Sequence, residues 1–367
     1  MKFSCNKEAL LHEISMAQEI ISSRNTLSIL SNVLLETVDS TLFIKATDLK
    51  LGFETAIPVE VVQPGITTVF CDKFLGILRN LPEGEVEFDQ QDGNLFIRPR
   101  FKKVSFQLKS IPSDKFPELQ SINEDQYFQI PQRDLSEMIS QTVFAVSDDE
   151  TRYFMNGVFF EKLEDSIVMV ATDGRRLSFI SKFFSEGIKK FESIIIPPKI
   201  LNLLNKFMVG EGLVDLAVTE KNIFFKIGNR KIYSNLIEGQ FPNYNRVIPK
   251  EQSYQISIKK DDLYEALKRV SVLVEQKSRR IYIRLIQDTL ILDAEESEIG
   301  SAKEEIPCIF NGPETVIALN YLYLFEPVKV IDEEEINIKF SEPNKAITLK
   351  AKDDESFFHI IMPMQVD

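Results

Sequence analysis

The chain is 367 residues long, room for two or three domains with separate cores, and its 44% hydrophobic and 27% charged residues exclude a disordered or fibrous polymer. Asp+Glu 56 against Lys+Arg 43 leaves a net charge of −13, which excludes a whole-surface grip on nucleic acid or anionic lipid and confines any such contact to a local patch. Only two histidines (His12, His359) and three scattered cysteines (Cys5, Cys71, Cys308) exclude a zinc cluster, a disulfide framework and paired imidazole catalysis, while the lack of a long apolar run or signal core predicts a soluble protein of the reducing cytoplasm.

In chain order, Phe3 and Cys5 point inward from a strand that leads into a helix over 7–24, with Leu10, Ile14, Ala17 and Ile21 on one stripe. A strand at Thr41–Ile44 follows, then Ala46-Thr47-Asp48, a second helix over 72–81 carrying Phe74, Leu75, Ile77, Leu78 and Leu81, and later Phe116-Pro117. After residue 121 the series restarts at an offset near 125. Phe128 and Ile130 precede a helix over 131–146 (Leu135, Ile139, Thr142, Val146). Ala171-Thr172-Asp173, a helix over 197–208 (Ile200, Leu201, Leu203, Leu204, Phe207), a strand at Ile223–Ile227 and Phe241-Pro242 follow. A third, shorter copy has Ile256 and Ile258, a helix over 259–274 (Leu263, Leu267, Val270, Val274), a helix over 320–329 (Tyr321, Leu322, Leu324, Phe325, Val328) and a strand at Ala346–Leu349, without the Ala-Thr-Asp and Phe-Pro marks. The repeat predicts an α+β protein of three similar domains, 1–121, 122–250 and 251–367, each of antiparallel sheets plus two helices and joined by short polar segments.

The segment Ala171-Thr172-Asp173-Gly174-Arg175-Arg176-Leu177 invites an anion or metal site, but its echo Ala46-Thr47-Asp48-Leu49-Lys50-Leu51 lacks both the glycine and the arginine pair. The shared Thr-Asp therefore reads as a turn device in which Asp caps backbone N–H groups, rather than as a metal-dependent nuclease built on Asp48 and Asp173. No phosphate loop, dinucleotide fingerprint or nucleophile elbow occurs, so no catalytic residue, metal or cofactor is expected. The six helical segments carry 12 Lys/Arg and 10 Asp/Glu, whereas the remainder nets −15. Shared on one surface, these helices would track phosphates without reading bases; as separate solvated faces they would do nothing of the kind. Arg98, Arg100, Lys102 and Lys103 precede Phe106 and Leu108, and Glu295, Glu296, Glu298, Glu304 and Glu305 follow Val272 and Leu273, so a basic edge could meet an acidic one heterologously; charge-protected edge strands are the other reading. At the end of the chain Phe357–Ile361 stops at Met362-Pro363-Met364, whose methionines suit either an adaptable binding surface or core filling.

Over its full length the sequence resembles the bacterial sliding clamp family, the beta subunit of DNA polymerase III. The likeness rests on Arg24-Asn25-Thr26-Leu27-Ser28-Ile29-Leu30-Ser31-Asn32, Thr47-Asp48-Leu49, Tyr153-Phe154-Met155-Asn156-Gly157, Val170 to Leu177, Gly239-Gln240-Phe241-Pro242-Asn243-Tyr244 and Met362-Pro363-Met364. It implies a head-to-tail homodimer closed into a ring, each chain forming half, with helices lining a hole that holds duplex DNA independently of sequence. The function it implies is topological: to encircle DNA and tether the replicative polymerase alpha subunit, the clamp loader, other polymerases and repair proteins. No membrane partner is implied. DNA-facing candidates are Arg24, Lys73, Arg79, Arg133, Lys199 and Lys206, and the dimer contact falls to Phe106 and Leu108 against Val272 and Leu273. By the same resemblance a partner-peptide pocket takes Met155, Thr172, Gly174, Arg175, Arg176, Leu177, Pro242, Arg246, Val247, Ile361, Met362, Pro363 and Met364, with Arg176 and Arg246 orienting peptide groups at the rim. The chain departs from the family at Arg175, often His, at Met155, often Leu, and at Gln365-Val366-Asp367, often Arg-Leu, which bears on motif preference. An acidic peptide-binding scaffold that ignores DNA is the alternative.

Overall fold

The computed structural model describes residues 1–21, 28–184, 187–208, 210–296, 298–352 and 354–365. Its helices are α1 (Lys7–Ile20), α2 (Cys71–Asn80), α3 (Gln132–Ser140), α4 (Pro198–Phe207), α5 (Lys260–Val270) and α6 (Tyr321–Val330), and a strand runs up to the start of each. The strand positions expected inside (Phe3, Cys5, Phe128, Ile130, Ile256, Ile258) are all buried. So are Leu10, Ile14 and Ala17, then Leu135, Ile139 and Thr142, then Leu263, Leu267, Val270 and Val274, so one apolar stripe drives the same packing three times. Asn6 caps α1 through its side-chain oxygen, 2.9 Å from Glu8 N and 3.2 Å from Ala9 N, and Asn320 caps α6 on Leu322 N at 3.0 Å.

Several helices are shorter than their apolar stripes suggest. Ile21 is already extended at φ −69°, ψ 120°, so α1 stops at Ile20, and residues 22–24 of the helix expected over 7–24 lie outside the described residues. The helix expected over 131–146 ends at Ser140, where the Thr142 hydroxyl bonds back to Met138 O at 2.7 Å, and a 3-10 turn at Val143–Ala145 continues the buried side. Likewise α5 gives way to a 3-10 turn at Ser271–Leu273, which keeps Val274 buried.

Two compact units emerge, residues 1–132 with 206–236 and residues 133–205 with 237–367, so the halves of the second repeat go to different units. Strand pairing explains this. In the first unit, Arg230–Asn235 of the second repeat pairs antiparallel with Leu51–Pro58 of the first, Ile232 opposite Phe53 and Tyr233 opposite Gly52, within a thirteen-stranded sheet. In the second unit, Phe357–Ile361 of the third repeat pairs with Arg176–Phe183, His359 opposite Ser178 and Ile360 opposite Leu177, within an eight-stranded sheet. Shifting 51–58 by the repeat offset gives 176–183, so both joints use the same strand of the receiving repeat and the final strand of the next. Arg230 adds ion pairs to the buried Glu13 of α1, at 3.0 and 2.6 Å.

Two strands at places equivalent in the repeat to the joined ones have open edges. Phe106–Ile111 pairs along one side with Asn94–Pro99, but on the other only Ser110 and Ile111 find partners among the described residues. Gly300–Pro307, an outer strand of a four-stranded sheet in the second unit, pairs only with Thr289–Glu296 among the described residues.

Candidate functional site

The Thr-Asp segments are built as the sequence predicts, twice. Thr172 donates its hydroxyl to Arg176 O at 2.6 Å and accepts from Gly174 N at 3.1 Å, while Asp173 Oδ1 accepts from Arg175 N at 2.8 Å and Arg176 N at 3.1 Å. In the first repeat, Thr47 donates to Leu51 O at 2.7 Å and accepts from Leu49 N at 3.0 Å, and Asp48 Oδ1 accepts from Lys50 N and Leu51 N. The pivot of each turn is left-handed, Gly174 at φ 87° and Leu49 at φ 75°. Both carboxylates cap backbone, and among the described residues no group of three His, Cys, Asp or Glu side chains could hold a metal.

This turn sits above an apolar bed. Val168, Val170, Leu177, Ile195, Phe241, Tyr244 and Ile360 form one buried cluster, edged by the partly buried Phe154, Phe159, Phe179, Ile237, Ile248, Ala346 and Phe358. Phe159 stacks on Phe241 and Phe179 on Phe358, at centroid distances of 4.8 and 4.7 Å. Phe241 and Tyr244 anchor the segment that carries Pro242, Arg246 and Val247 at the surface, Val247 being 57% exposed. The other flank is the chain end: Ile361 pairs with Arg176, Met362 N donates to Arg175 O at 2.9 Å, Met364 N donates to Ala318 O at 2.8 Å, and Met362 is 46% exposed. Gly174, Arg175, Pro242, Arg246, Val247, Met362, Pro363 and Met364 thus offer surface around a floor to which Leu177 belongs. Met155, Thr172 and Ile361 are buried. The sequence puts Ala346 and Phe358 in strands but gives no sign that they, or Ile248, meet this bed, because alternation does not name a strand's partner.

Arg176 departs from the expected rim role. Its Nε lies 3.1 Å from Asp173 Oδ2, Nη1 pairs with Glu326 of α6, and Nη2 donates to Phe144 O at 2.6 Å. Its guanidinium also lies over the Tyr323 ring, 4.6 Å from the centroid, and the side chain is only 11% exposed. Every nitrogen faces protein, so Arg176 bolts the turn to α6.

Behind the floor lies a polar knot. His359 is buried, with Nδ1 2.9 Å from Ser178 Oγ and Nε2 3.1 Å from Gln141 Oε1, and Gln141 donates its amide to Val330 O at 2.9 Å. Burial, helped by the charge of Arg176, pushes the imidazole down to about 3, so it is neutral.

Among the cations expected to meet DNA, Lys73 and Arg79 lie exposed on α2, Arg133 on α3, and Lys199 and Lys206 on α4; Arg24 lies outside the described residues. Lys206 is held 2.7 Å from Glu19, and Lys73 stands 3.5 Å from Asp72. Phe106 and Leu108 share one half-buried face of the partly open strand, Val272 is 77% exposed, and Leu273 lies where a side chain on Gly300 would touch it, at 3.8 Å. The acidic patch nearby is partly claimed at home: Arg269 holds Glu304 at 2.9 Å, keeping its carboxyl below the usual range, and Lys303 stands 3.3 Å from Glu305.

Three family models match in succession: the N-terminal domain of the DNA polymerase III beta subunit over residues 1–120, the central domain over 129–243 and the C-terminal domain over 245–365. The chain belongs to the DNA polymerase III beta subunit family. Like the beta sliding clamps of that family, it is a processivity factor for DNA polymerase III. It is 47% identical over 371 residues to the beta sliding clamp of Treponema pallidum, with both chains fully covered. A solved clamp of Bartonella birtlesii bound to griselimycin superposes with a TM-score of 0.95 at 26% identity, and one of Bacillus subtilis with 0.94 at 27%, again over all of both chains. The α+β architecture of three clamp domains read from the repeat is therefore that of the beta subunit family.

Proposed function

We propose that two copies of this chain join head to tail around duplex DNA, slide on it without reading bases, and tether the polymerase alpha subunit, clamp loader and other DNA-processing proteins through the groove between Val247 and Met362, catalysing nothing themselves. The observation that carries the ring is the repeated joint. The strand that accepts a neighbour is Leu51–Pro58 in the first repeat and Arg176–Phe183 in the second, and its counterpart in the third is Gly300–Pro307, whose outer edge is open among the described residues. The strand that is handed over is Arg230–Asn235 and Phe357–Ile361, and its counterpart in the first repeat is Phe106–Ile111, open over 106–109. The same antiparallel joint made a third time links the third repeat of one copy to the first of the other. Phe106 and Leu108 then meet Val272 and Leu273, and the basic run 98–103 meets the acidic edge.

The repeat sets the domains at 1–121, 122–250 and 251–367, and three unpaired cysteines suit the cytoplasm. Exposed Lys73, Arg79, Arg133, Lys199 and Lys206 supply phosphate contacts of the helices, with the acidic remainder turned away from DNA. In the groove, Arg175 and the last residues adjust which peptide motif fits. The test is topological: protein loaded on a nicked circular plasmid stays bound, and linearising the plasmid releases it. Equal retention on both forms overturns encirclement, and no retention on either leaves the DNA-independent scaffold.

A further inference from the structure

The last strand is an unusual one to have a fixed register. Phe357-Phe358-His359-Ile360-Ile361 is buried on both faces and ladders on both sides, to Arg176–Phe183 and to Ile347–Ala351. Its apolar side chains are similar in kind on either face, so hydrophobic burial distinguishes poorly between the observed pairing and one slipped by a residue. Yet the faces differ in use. Phe358 and Ile360 belong to the groove bed with Phe179 and Leu177, whereas His359 looks the other way, opposite Ser178, with Phe144 and Phe357 around its ring at 5.7 and 5.9 Å.

His359 is the strand's only polar side chain, and both its nitrogens are engaged. Because Gln141 spends its amide nitrogen on Val330 O, its oxygen faces the ring; Nε2 carries the hydrogen and Nδ1 accepts from the Ser178 hydroxyl. A slip of one residue would bring Phe358 or Ile360 opposite Ser178, turn the imidazole into the apolar bed, and leave Ser178 and the Gln141 oxygen without a partner. Each orphaned group costs about 1–3 kcal/mol, so the slipped pairing is excluded by polar atoms where apolar ones do not exclude it. Register in turn fixes the chain end beyond the strand, since the Met362 N to Arg175 O and Met364 N to Ala318 O bonds form only when Ile361 stands opposite Arg176.

We propose that His359, paired with Ser178 and Gln141, is a positioning residue that locks the register of the terminal strand and so places the Met362-Pro363-Met364 wall of the partner groove. The proposal rests on the reading of that groove as the partner site, and a buried polar group that selects one pairing is its physical basis.

The test compares the full chain with His359→Leu, with His359→Gln, which keeps one donor and one acceptor, and with the all-apolar triple His359→Leu, Ser178→Ala, Gln141→Leu. Griselimycin is the probe, with amide exchange at Met362 and Met364 and the melting temperature as parallel readouts. His359→Leu should lose affinity about tenfold or more, from orphaned polar groups and a loosened wall, and exchange faster at both amides, with His359→Gln recovering most of both. The triple covers the case in which His359→Leu fails to fold: it regains melting temperature while affinity stays low. A folded His359→Leu or triple with wild-type affinity and exchange overturns the lock. Deletion of 363–367 is the separate control: if it leaves griselimycin binding unchanged, the groove reading fails, while exchange at Met362 still decides the register.

Discussion

At the scale of single residues, the imidazole of His359 makes a prediction about acid. Its folded value near 3 lies below the ordinary 6.5, so below pH 6.5 the unfolded chain takes up a proton that the folded one refuses. Stability from this group is complete above pH 6.5 and drains away as pH falls toward 3, by about 3–5 kcal/mol in all. Urea midpoints between pH 7 and 4 should therefore fall more steeply for the native chain than for His359→Gln. A second prediction concerns Gly174. An added Cβ meets only the far end of the Arg152 side chain, at 2.9 Å, so the cost of Gly174→Ala is mainly the left-handed backbone, about 1 kcal/mol. Leu49 tolerates the same turn in the first repeat, so the variant should fold, with a lower midpoint in denaturant. The Thr-Asp turns were legible because two copies could be compared, one without glycine or arginines. Arg176 was not: whether an arginine faces solvent or Glu326 and Tyr323 depends on a helix 150 residues downstream, which no local pattern reports.

At the scale of elements, the strand-to-helix units follow directly from periodicity, since the same apolar stripe must find the same kind of cover each time. The cross-repeat ladders do not, because alternation says which face of a strand is buried and nothing about its partner. Gly52 records such a partner: opposite Tyr233, a Cβ there would come 2.0 Å from the ring, so the ring lies over bare backbone. Gly52→Ala forces the aromatic off the joint and should cost about 2 kcal/mol, with part of the loss recovered when Tyr233→Leu is added. Melting curves of the single and double variants check this. Additive losses would mean the two residues act separately.

At the scale of the whole molecule, Val272→Ala with Leu273→Ala should give monomers in sedimentation, because apolar anchors dominate such contacts and exposed ion pairs contribute about 0–1 kcal/mol each. Intact dimers would reassign the interface. DNA held by phosphates should be lost as salt rises, and Lys73→Ala with Arg79→Ala should weaken retention equally on every sequence. A preference for one sequence that survives high salt would contradict sliding. The joint between the first two repeats carries a last consequence. Within residues 1–132 and 206–236 the two halves are held by backbone ladders and by Arg230 on Glu13 and Lys206 on Glu19, so the peptide link near residues 120–126 is not what keeps them together. A protease that nicks only there should leave two fragments that run apart in detergent yet travel as one native particle.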